Sequence, residues 1–237
     1  MRANPLILAV AVAGSLASVA SFRSVALQDR EIQYCGAADQ PTIRTCGDPE
    51  VGPGIWVTNH DKNPNVKYFL YENSRDEHPW KYLDIPQGTR AFLQVCPTFQ
   101  GRMVRGTVAV NTNNMPHMLG TWIEFSIVGG TIWGDISFLE GSDGGALMAT
   151  TDGSGLVREC VVDLLTAAPS HVLRVNDAGV AVVDTVVDKP WRATNHAARA
   201  WLNARCDENQ IYIQEPNQAI IASSDGRFEV MMVDGVA

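Results

Sequence analysis

Hydrophobic and polar residues alternate most regularly in residues 121–138. Apolar side chains occupy alternate positions in 123–127 and, with one glycine in the series, in 132–138, on either side of the pair Gly129-Gly130. This period of two predicts two half-buried β-strands. A two-residue hairpin loop needs positive φ angles, which glycine adopts freely. The pattern therefore predicts a β-hairpin in which paired residue numbers sum to 259.

This register places two acidic side chains opposite each other on the polar face of the hairpin. Glu124 faces Asp135, while Trp122 and Trp133 each lie two residues before a carboxylate on the same strand. Opposed residues have Cβ atoms roughly 5 Å apart, and like charges at that distance repel. We therefore expect a compensating group here, which could be an arginine, a bound cation, a shared proton or a ligand.

Shorter alternating runs separated by turn residues continue along most of the chain. They predict an all-β fold, an antiparallel β-sandwich with one helix in the C-terminal half and loop-rich excursions. The predicted strands cover 54–59, 66–71, 81–85, 90–95, 101–110, 146–150, 172–175, 180–187, 211–213, 219–221 and 228–233. Alanines and arginines at helical spacing predict the helix over 190–205, and 161–168 suggests a short second helix.

The N-terminus has the features of a secretory signal peptide. Arg2 precedes an apolar run in 6–19, and small residues allow cleavage after Ala20 or Ala26. We therefore expect residues 1–26 to be removed, 27–53 to form a non-regular arm, and 54–237 to form one domain. The secreted chain would have no membrane segment. Its formal net charge would change from −8 to −10, because the removed segment holds two arginines and no acidic residue.

The charge of the chain narrows the range of partners. The acidic balance argues against nucleic acid and anionic membranes, whereas neutral carbohydrate or cationic partners remain compatible.

Five cysteines in a secreted chain predict two disulfides and one free thiol. Cys35 with Cys46 and Cys160 with Cys206 are plausible pairs. No cysteine or histidine spacing typical of a metal site occurs, so we expect neither metal nor cofactor.

The carboxylates of the hairpin suggest two kinds of chemistry. Glu124 and Asp135, with Glu140 and Asp143 just beyond, could line an acidic cleft flanked by tryptophans that stack on sugar rings. Carboxyl groups about 5 Å apart also suit a retaining glycosidase, with one as nucleophile and the other as acid and base. The alternative is a solvated face, or simple pairing with an arginine, Arg102 or Arg105, on a neighbouring strand.

Several segments in the same order resemble one protein family. The segments are 99–107 (FQGRMVRGT), 120–127 (GTWIEFSI), 133–141 (WGDISFLEG), 165–169 (LTAAP) and 195–198 (NHAA). Together they resemble thaumatin-like proteins, in particular the secreted, osmotin-like proteins of filamentous fungi, over about residues 54–235. The resemblance implies a β-sandwich and an acidic cleft containing Arg105, Glu124, Asp135 and Asp143, with Arg105 holding the two hairpin carboxylates together.

In plant members of that family, the cleft is linked to β-1,3-glucan binding, weak glucanase activity and antifungal action. This chain departs from the plant type in having only five cysteines and no cysteine-rich middle section. In addition, Ser142 stands where the fungal relatives are expected to have a cysteine, which would account for the odd number.

Three functional hypotheses follow. The first is a secreted monomer, a fungal effector whose acidic cleft, flanked by Trp122 and Trp133, binds a wall polysaccharide such as β-glucan. The second is a weak endo-β-1,3-glucanase that uses Glu124 and Asp135 as its catalytic pair. The third is a module that recognises a host surface protein without any carbohydrate role.

Overall fold

The computed structural model describes residues 33–73, 75–188, 193–213 and 219–235. The predicted signal peptide lies outside these residues. The strands, in chain order, are β1 Ile43–Thr45, β2 Gly54–His60, β3 Lys67–Glu72, β4 Lys81–Leu83, β5 Arg90–Gln94, β6 Gln100–Gly106, β7 Trp122–Val128, β8 Thr131–Ser137, β9 Gly145–Thr150, β10 Val157–Cys160, β11 Leu173–Val175, β12 Ala181–Val183, β13 Val187–Asp188, β14 Ala193–Thr194, β15 Ile221–Ser223 and β16 Arg227–Val233.

Two large sheets share one apolar core, which confirms the predicted all-β, sandwich-like fold. The larger sheet has the strand order β1-β4-β3-β6-β7-β8-β15, and the smaller sheet has the order β10-β9-β16-β2-β5. Residues of both sheets, such as Met103, Ile123, Val57 and Val230, belong to the same buried cluster. Most neighbours are antiparallel, but β1 and β4 are parallel, as are β2 and β16. Both sheets are therefore mixed.

The hairpin of β7 and β8 forms as predicted. Glu124 pairs with Asp135, and Ile123 pairs with Ile136. The turn residues Gly129 and Gly130 have φ angles of 60° and 84°, the left-handed conformation that glycine adopts without steric cost. The isoleucines of both strands are buried, so the alternate positions, including the two carboxylates, lie on the outer face of the larger sheet.

The N-terminal arm is more regular than expected. Its strand β1 joins the larger sheet beside β4. Cys35 forms a disulfide with Cys96, across a Cα separation of 5.6 Å, which ties the arm to the domain. The predicted pair of Cys35 and Cys46 is therefore wrong, because Cys46 directly follows β1 and is an exposed free thiol. The other predicted disulfide, Cys160 with Cys206, is confirmed.

The predicted helices are partly confirmed. Helix α1, Val108–Asn111, is a single turn that replaces the end of the predicted strand 101–110. Helix α2, His196–Asn203, begins after Asn195, whose side chain accepts a hydrogen bond from the backbone of Ala198. The first residues of the predicted helix 190–205 lie outside the described residues. No helix forms over 161–168, where Asp163 instead accepts backbone hydrogen bonds of a turn.

Apart from α1 and α2, the described residues contain a 3₁₀ turn at Ser170–Val172. None of these helices combines the length and the apolar composition that crossing a membrane requires.

Candidate functional site

Three neighbouring strands place their polar side chains in one row on the outer face of the larger sheet. Strand register pairs Arg102 of β6 with Glu124 of β7, and Glu124 with Asp135 of β8. Side chains at paired positions point to the same face of a sheet. The opposed carboxylates therefore have an arginine beside them, as one of the sequence alternatives proposed. That arginine is Arg102.

This row forms the floor of an open groove of about 500 Å³. Both tryptophans of the hairpin line it, together with the charged row, Asp76 and Ile220. Trp133 is 48% exposed and presents apolar surface to solvent. Trp122 is half-buried and is fixed by a hydrogen bond of 2.8 Å from its Nε1 to the carbonyl oxygen of Met118. The structure thus brings together four of the predicted site residues, Trp122, Glu124, Trp133 and Asp135.

Arg102 is held rigidly at one side of the groove. Its guanidinium lies over the ring of Trp122 at 4.2 Å and over the ring of Tyr71 at 4.9 Å. One terminal nitrogen forms an ion pair of 2.8 Å with Asp76. The residue is only 5% exposed, so its charge acts in a partly desolvated setting. Its position is set by the aromatic rings and by Asp76 as well as by Glu124.

Glu124 has unusual electrostatics for a surface strand residue. Burial raises the pKa of its carboxyl group, and the negative charge of the nearby Glu140 raises it further. Arg102 and the hydroxyl of Ser137 oppose that pKa shift, although the Ser137 hydroxyl makes no hydrogen bond of good geometry. Glu124 therefore retains a proton to higher pH than an ordinary glutamate, beside the second carboxylate, Asp135. Such a pair can donate hydrogen bonds to hydroxyl groups and can also accept hydrogen bonds from them.

Arg105 does not take the role that the sequence predicted for it. Its Nε donates to both carboxylate oxygens of Asp61 at 2.9 Å, and one terminal nitrogen donates to Asp143 at 2.8 Å. The other terminal nitrogen donates to the carbonyl oxygens of Gly145 and Val233. The prediction that Arg105 holds Glu124 and Asp135 together is therefore wrong. Arg105 lies three residues after Arg102 on the same strand, and side chains at that spacing point to opposite faces of a sheet. Because Arg102 faces the groove, Arg105 points away from it.

Asp143 belongs to the same buried cluster as Arg105, not to the groove. It accepts a hydrogen bond from the backbone of Thr121, and burial raises the pKa of its carboxyl group while Arg105 opposes that shift. Ser142 is also buried there, and its hydroxyl donates to the carbonyl oxygen of Gly144. The cavity beside Arg105 and Asp143 measures about 30 Å³, which is room for about one water molecule. This region is too closed to bind a sugar.

Sequence reasoning missed some groove residues. Asp76 comes from a polar segment without a periodic pattern, and Ile220 lies in the predicted strand 219–221, whose pattern does not indicate which strand it neighbours. Arg102 was one of two alternatives, and only the register between β6 and β7 decides between them. Glu140 was included in the predicted acidic cleft, and it lies buried close enough to influence Glu124.

One group of metal-ligating atoms occurs in the described residues, away from the groove. Sulfur atoms of Cys35 and Cys96 lie near the carboxylate of Glu72. The two sulfurs form a disulfide, and the carboxylate accepts hydrogen bonds from the backbone of Cys35 and Gly36. These atoms are therefore engaged in joining the arm to the domain.

Comparison with protein-family models and with curated proteins finds no match to this chain, so what the groove binds is inferred from its own geometry.

Proposed function

We propose that the protein is a secreted, thaumatin-like β-sandwich whose outer-face groove binds a cell-wall polysaccharide. The observation that carries this proposal is the exposed ring of Trp133 beside the row of Glu124 and Asp135. The predicted signal peptide and the two disulfides fit an extracellular role. The resemblance to osmotin-like proteins of filamentous fungi suggests β-glucan as the first ligand to test, and an effector role at a host surface.

The groove has the two kinds of group that a sugar chain needs. Sugar rings have an apolar face that stacks on an aromatic side chain, and their hydroxyl groups donate hydrogen bonds to carboxylates. Trp133 supplies the first, and Glu124 with Asp135 supplies the second. The groove is open and about 500 Å³ in volume, so a chain can lie along it without an end group entering a pocket.

A pull-down on insoluble β-1,3-glucan tests the proposal. We expect Glu124→Gln and Asp135→Asn each to weaken retention about 10-fold, because a charged hydrogen-bond partner is lost. Glu229→Gln is the matched control, since this carboxylate is exposed on the smaller sheet and pairs with Arg90. Equal retention of the wild type, both groove variants and the control would end the groove-binding proposal.

A second candidate is a weak endo-β-1,3-glucanase, which the raised pKa of Glu124 favours. In a retaining mechanism, a carboxyl that keeps its proton protonates the leaving oxygen, the opposed Asp135 attacks the sugar carbon, and water then hydrolyses the resulting glycosyl ester. Reducing sugar released from laminarin would measure this activity, with Glu124→Gln and Asp135→Asn as inactive variants. No turnover by a wild-type protein that still binds glucan would remove the enzymatic hypothesis.

A further inference from the structure

His117 lies in the connection between β6 and β7, and both nitrogens of its ring contact oxygen acceptors. Nδ1 lies 2.7 Å from a carboxylate oxygen of Asp177, and Nε2 lies 2.9 Å from the side-chain oxygen of Asn113. This oxygen of Asn113 also receives a hydrogen bond from the backbone N–H of Met115, which fixes it as an acceptor. An N–H group on each ring nitrogen is therefore needed to satisfy both contacts.

This arrangement selects the charged form of the ring. A neutral imidazole has one N–H group, so one of its nitrogens would present a lone pair to an oxygen. The imidazolium has two N–H groups and donates to Asn113 and Asp177 at the same time. The side chain of His117 is only 11% exposed, so water is a poor substitute for either hydrogen bond.

The other charged groups around His117 do not oppose its positive charge. His117 lines the cavity of about 30 Å³ together with three charged residues, Arg105, Asp143 and Asp177. Arg105 is paired with Asp143 and, on its other side, with Asp61, so this group has no net positive charge. Asp177 forms the ion pair with His117 itself and stabilises the imidazolium.

The contacts of His117 join two segments that lie 60 residues apart. Asp177 lies at the tip of the β11–β12 hairpin, where the side chain of Asn176 accepts two backbone hydrogen bonds and fixes the turn. His117 and Asn113 lie in the connection that leads into β7. The charged ring therefore fastens this connection to a turn of fixed shape.

The residue after His117 belongs to the groove on the outer face. Met118 lines the groove, and its carbonyl oxygen accepts the 2.8 Å hydrogen bond from Nε1 of Trp122. The sulfur of Met118 also accepts a hydrogen bond of 3.5 Å from Arg102. Because His117 and Met118 are adjacent in the chain, a shift of the first residue moves the group that holds the indole of Trp122.

We propose that His117, Asn113 and Asp177 form a pH-sensitive latch, which fixes the Trp122 side of the groove while the histidine is charged. An imidazole changes its charge between about pH 5 and pH 8. The latch is closed at mildly acidic pH, where both N–H groups are present. It opens as the pH rises, because one of the two hydrogen bonds then loses its proton. The latch goes beyond the proposed function, since it acts on the groove whichever ligand binds there.

Nitrogen-15 NMR of the protein at about pH 5 and about pH 8 tests the latch without any ligand. Both ring nitrogens of His117 should carry protons at the acidic pH, and one should at the higher pH. The protection of the Trp122 indole N–H against hydrogen exchange, measured relative to free indole at each pH, should fall about 10-fold over the same change, because a charge-assisted hydrogen bond is lost. Trp122→Phe and His117→Gln assign the two signals.

Two variants and a control separate the latch from a purely structural contact. His117→Gln cannot change its charge, so the protection of Trp122 should no longer depend on pH. Asp177→Asn should weaken the pH dependence, because a neutral amide stabilises the charged ring less than a carboxylate does. His171→Gln is the matched control, since His171 is exposed and lies outside the latch, and its pH dependence should equal that of the wild type.

Two results would overturn the latch. The first is a wild-type protein in which the protection of Trp122 is the same at both pH values, a measurement that needs no variant to fold. The second is a His117→Gln variant that keeps the pH dependence of the wild type. Loss of the pH dependence in His117→Gln but not in His171→Gln would establish the latch.

Discussion

Two arginines on the same strand, three residues apart, have opposite roles in this molecule. Arg105 lies on the inner side of the sheet. There its guanidinium nitrogens donate hydrogen bonds to Asp61, to Asp143 and to two backbone carbonyl oxygens. Arg102 lies on the outer side, where it stacks on two aromatic rings, pairs with Asp76 and borders Glu124. We call the first set the inner cluster and the second, with Asp135, the outer row.

The difference lies in how completely each arginine is satisfied. In the inner cluster the carboxylates and carbonyls surround one buried cation, and Tyr68 adds a hydrogen bond to Asp61. Burial and the charge of Asp61 raise the pKa of Tyr68, so its hydroxyl stays protonated as a donor. In the outer row two carboxylates face each other, and burial raises the pKa of one of them. The inner cluster stabilises the fold, whereas the outer row sets two carboxylates opposite each other, an arrangement that lowers stability when both are charged.

The largest predicted effect is on the inner cluster. Arg105→Met should lower the free energy of unfolding by about 3–5 kcal/mol, because it leaves buried carboxylates without their cation. Arg44→Met is the matched control, since Arg44 forms an exposed ion pair with Asp84 and should cost at most about 1 kcal/mol. Urea unfolding measures both. A loss for Arg105→Met no larger than that for Arg44→Met would contradict the structural role of the cluster.

The next largest effect is an increase in the free energy of unfolding, and it concerns the outer row. Glu124→Gln should raise the free energy of unfolding at neutral pH by up to about 1 kcal/mol, because it removes one of two opposed charges. The folded state holds the Glu124 proton more tightly than the unfolded state, so the wild type loses stability as pH rises above about 4.3, the ordinary glutamate pKa. The gain from Glu124→Gln should therefore vanish at acid pH.

Urea unfolding of the wild type and Glu124→Gln at both pH values checks this sign. A variant that is less stable than the wild type at neutral pH would mean that Arg102 more than compensates the pair, and the contrast with the inner cluster would fail.

The smallest predicted effect on stability concerns the aromatic wall of the groove. Trp133→Ala should change the free energy of unfolding by about 0.5 kcal/mol or less, because the side chain is 48% exposed. The same variant should lose most of its polysaccharide retention. Thermal unfolding and the glucan pull-down on one sample separate the two readouts. A large loss of stability would show that Trp133 is part of the packing and not a ligand-binding surface.

The hairpin shows how much of the site could be predicted from sequence. Its strands, its turn and the opposition of Glu124 to Asp135 all come from one segment of 18 residues, in which the Gly129-Gly130 turn fixes the register. The positions of both tryptophans relative to the carboxylates follow from the same register. Local information was sufficient here because both partners of each contact lie close together in the chain.

The identity of the neighbouring arginine could not be predicted in the same way. A connection of 15 residues separates β6 from β7, and it contains a helical turn that the pattern had suggested as strand. A shift of one residue in that register would turn the other arginine toward the hairpin. The resemblance to a family then favoured Arg105, which the structure places on the inner face.

The sequence by itself determined the alternation that makes an all-β chain, the hairpin with its opposed carboxylates, and the acidic charge. Tertiary structure alone decided the features that join distant segments. These are the choice of Arg102, the disulfide between Cys35 and Cys96, and the parallel pairing of β16 with β2, two strands that lie far apart in the sequence. Periodicity reports which face of a strand is buried, but it carries no information about which strand lies beside it.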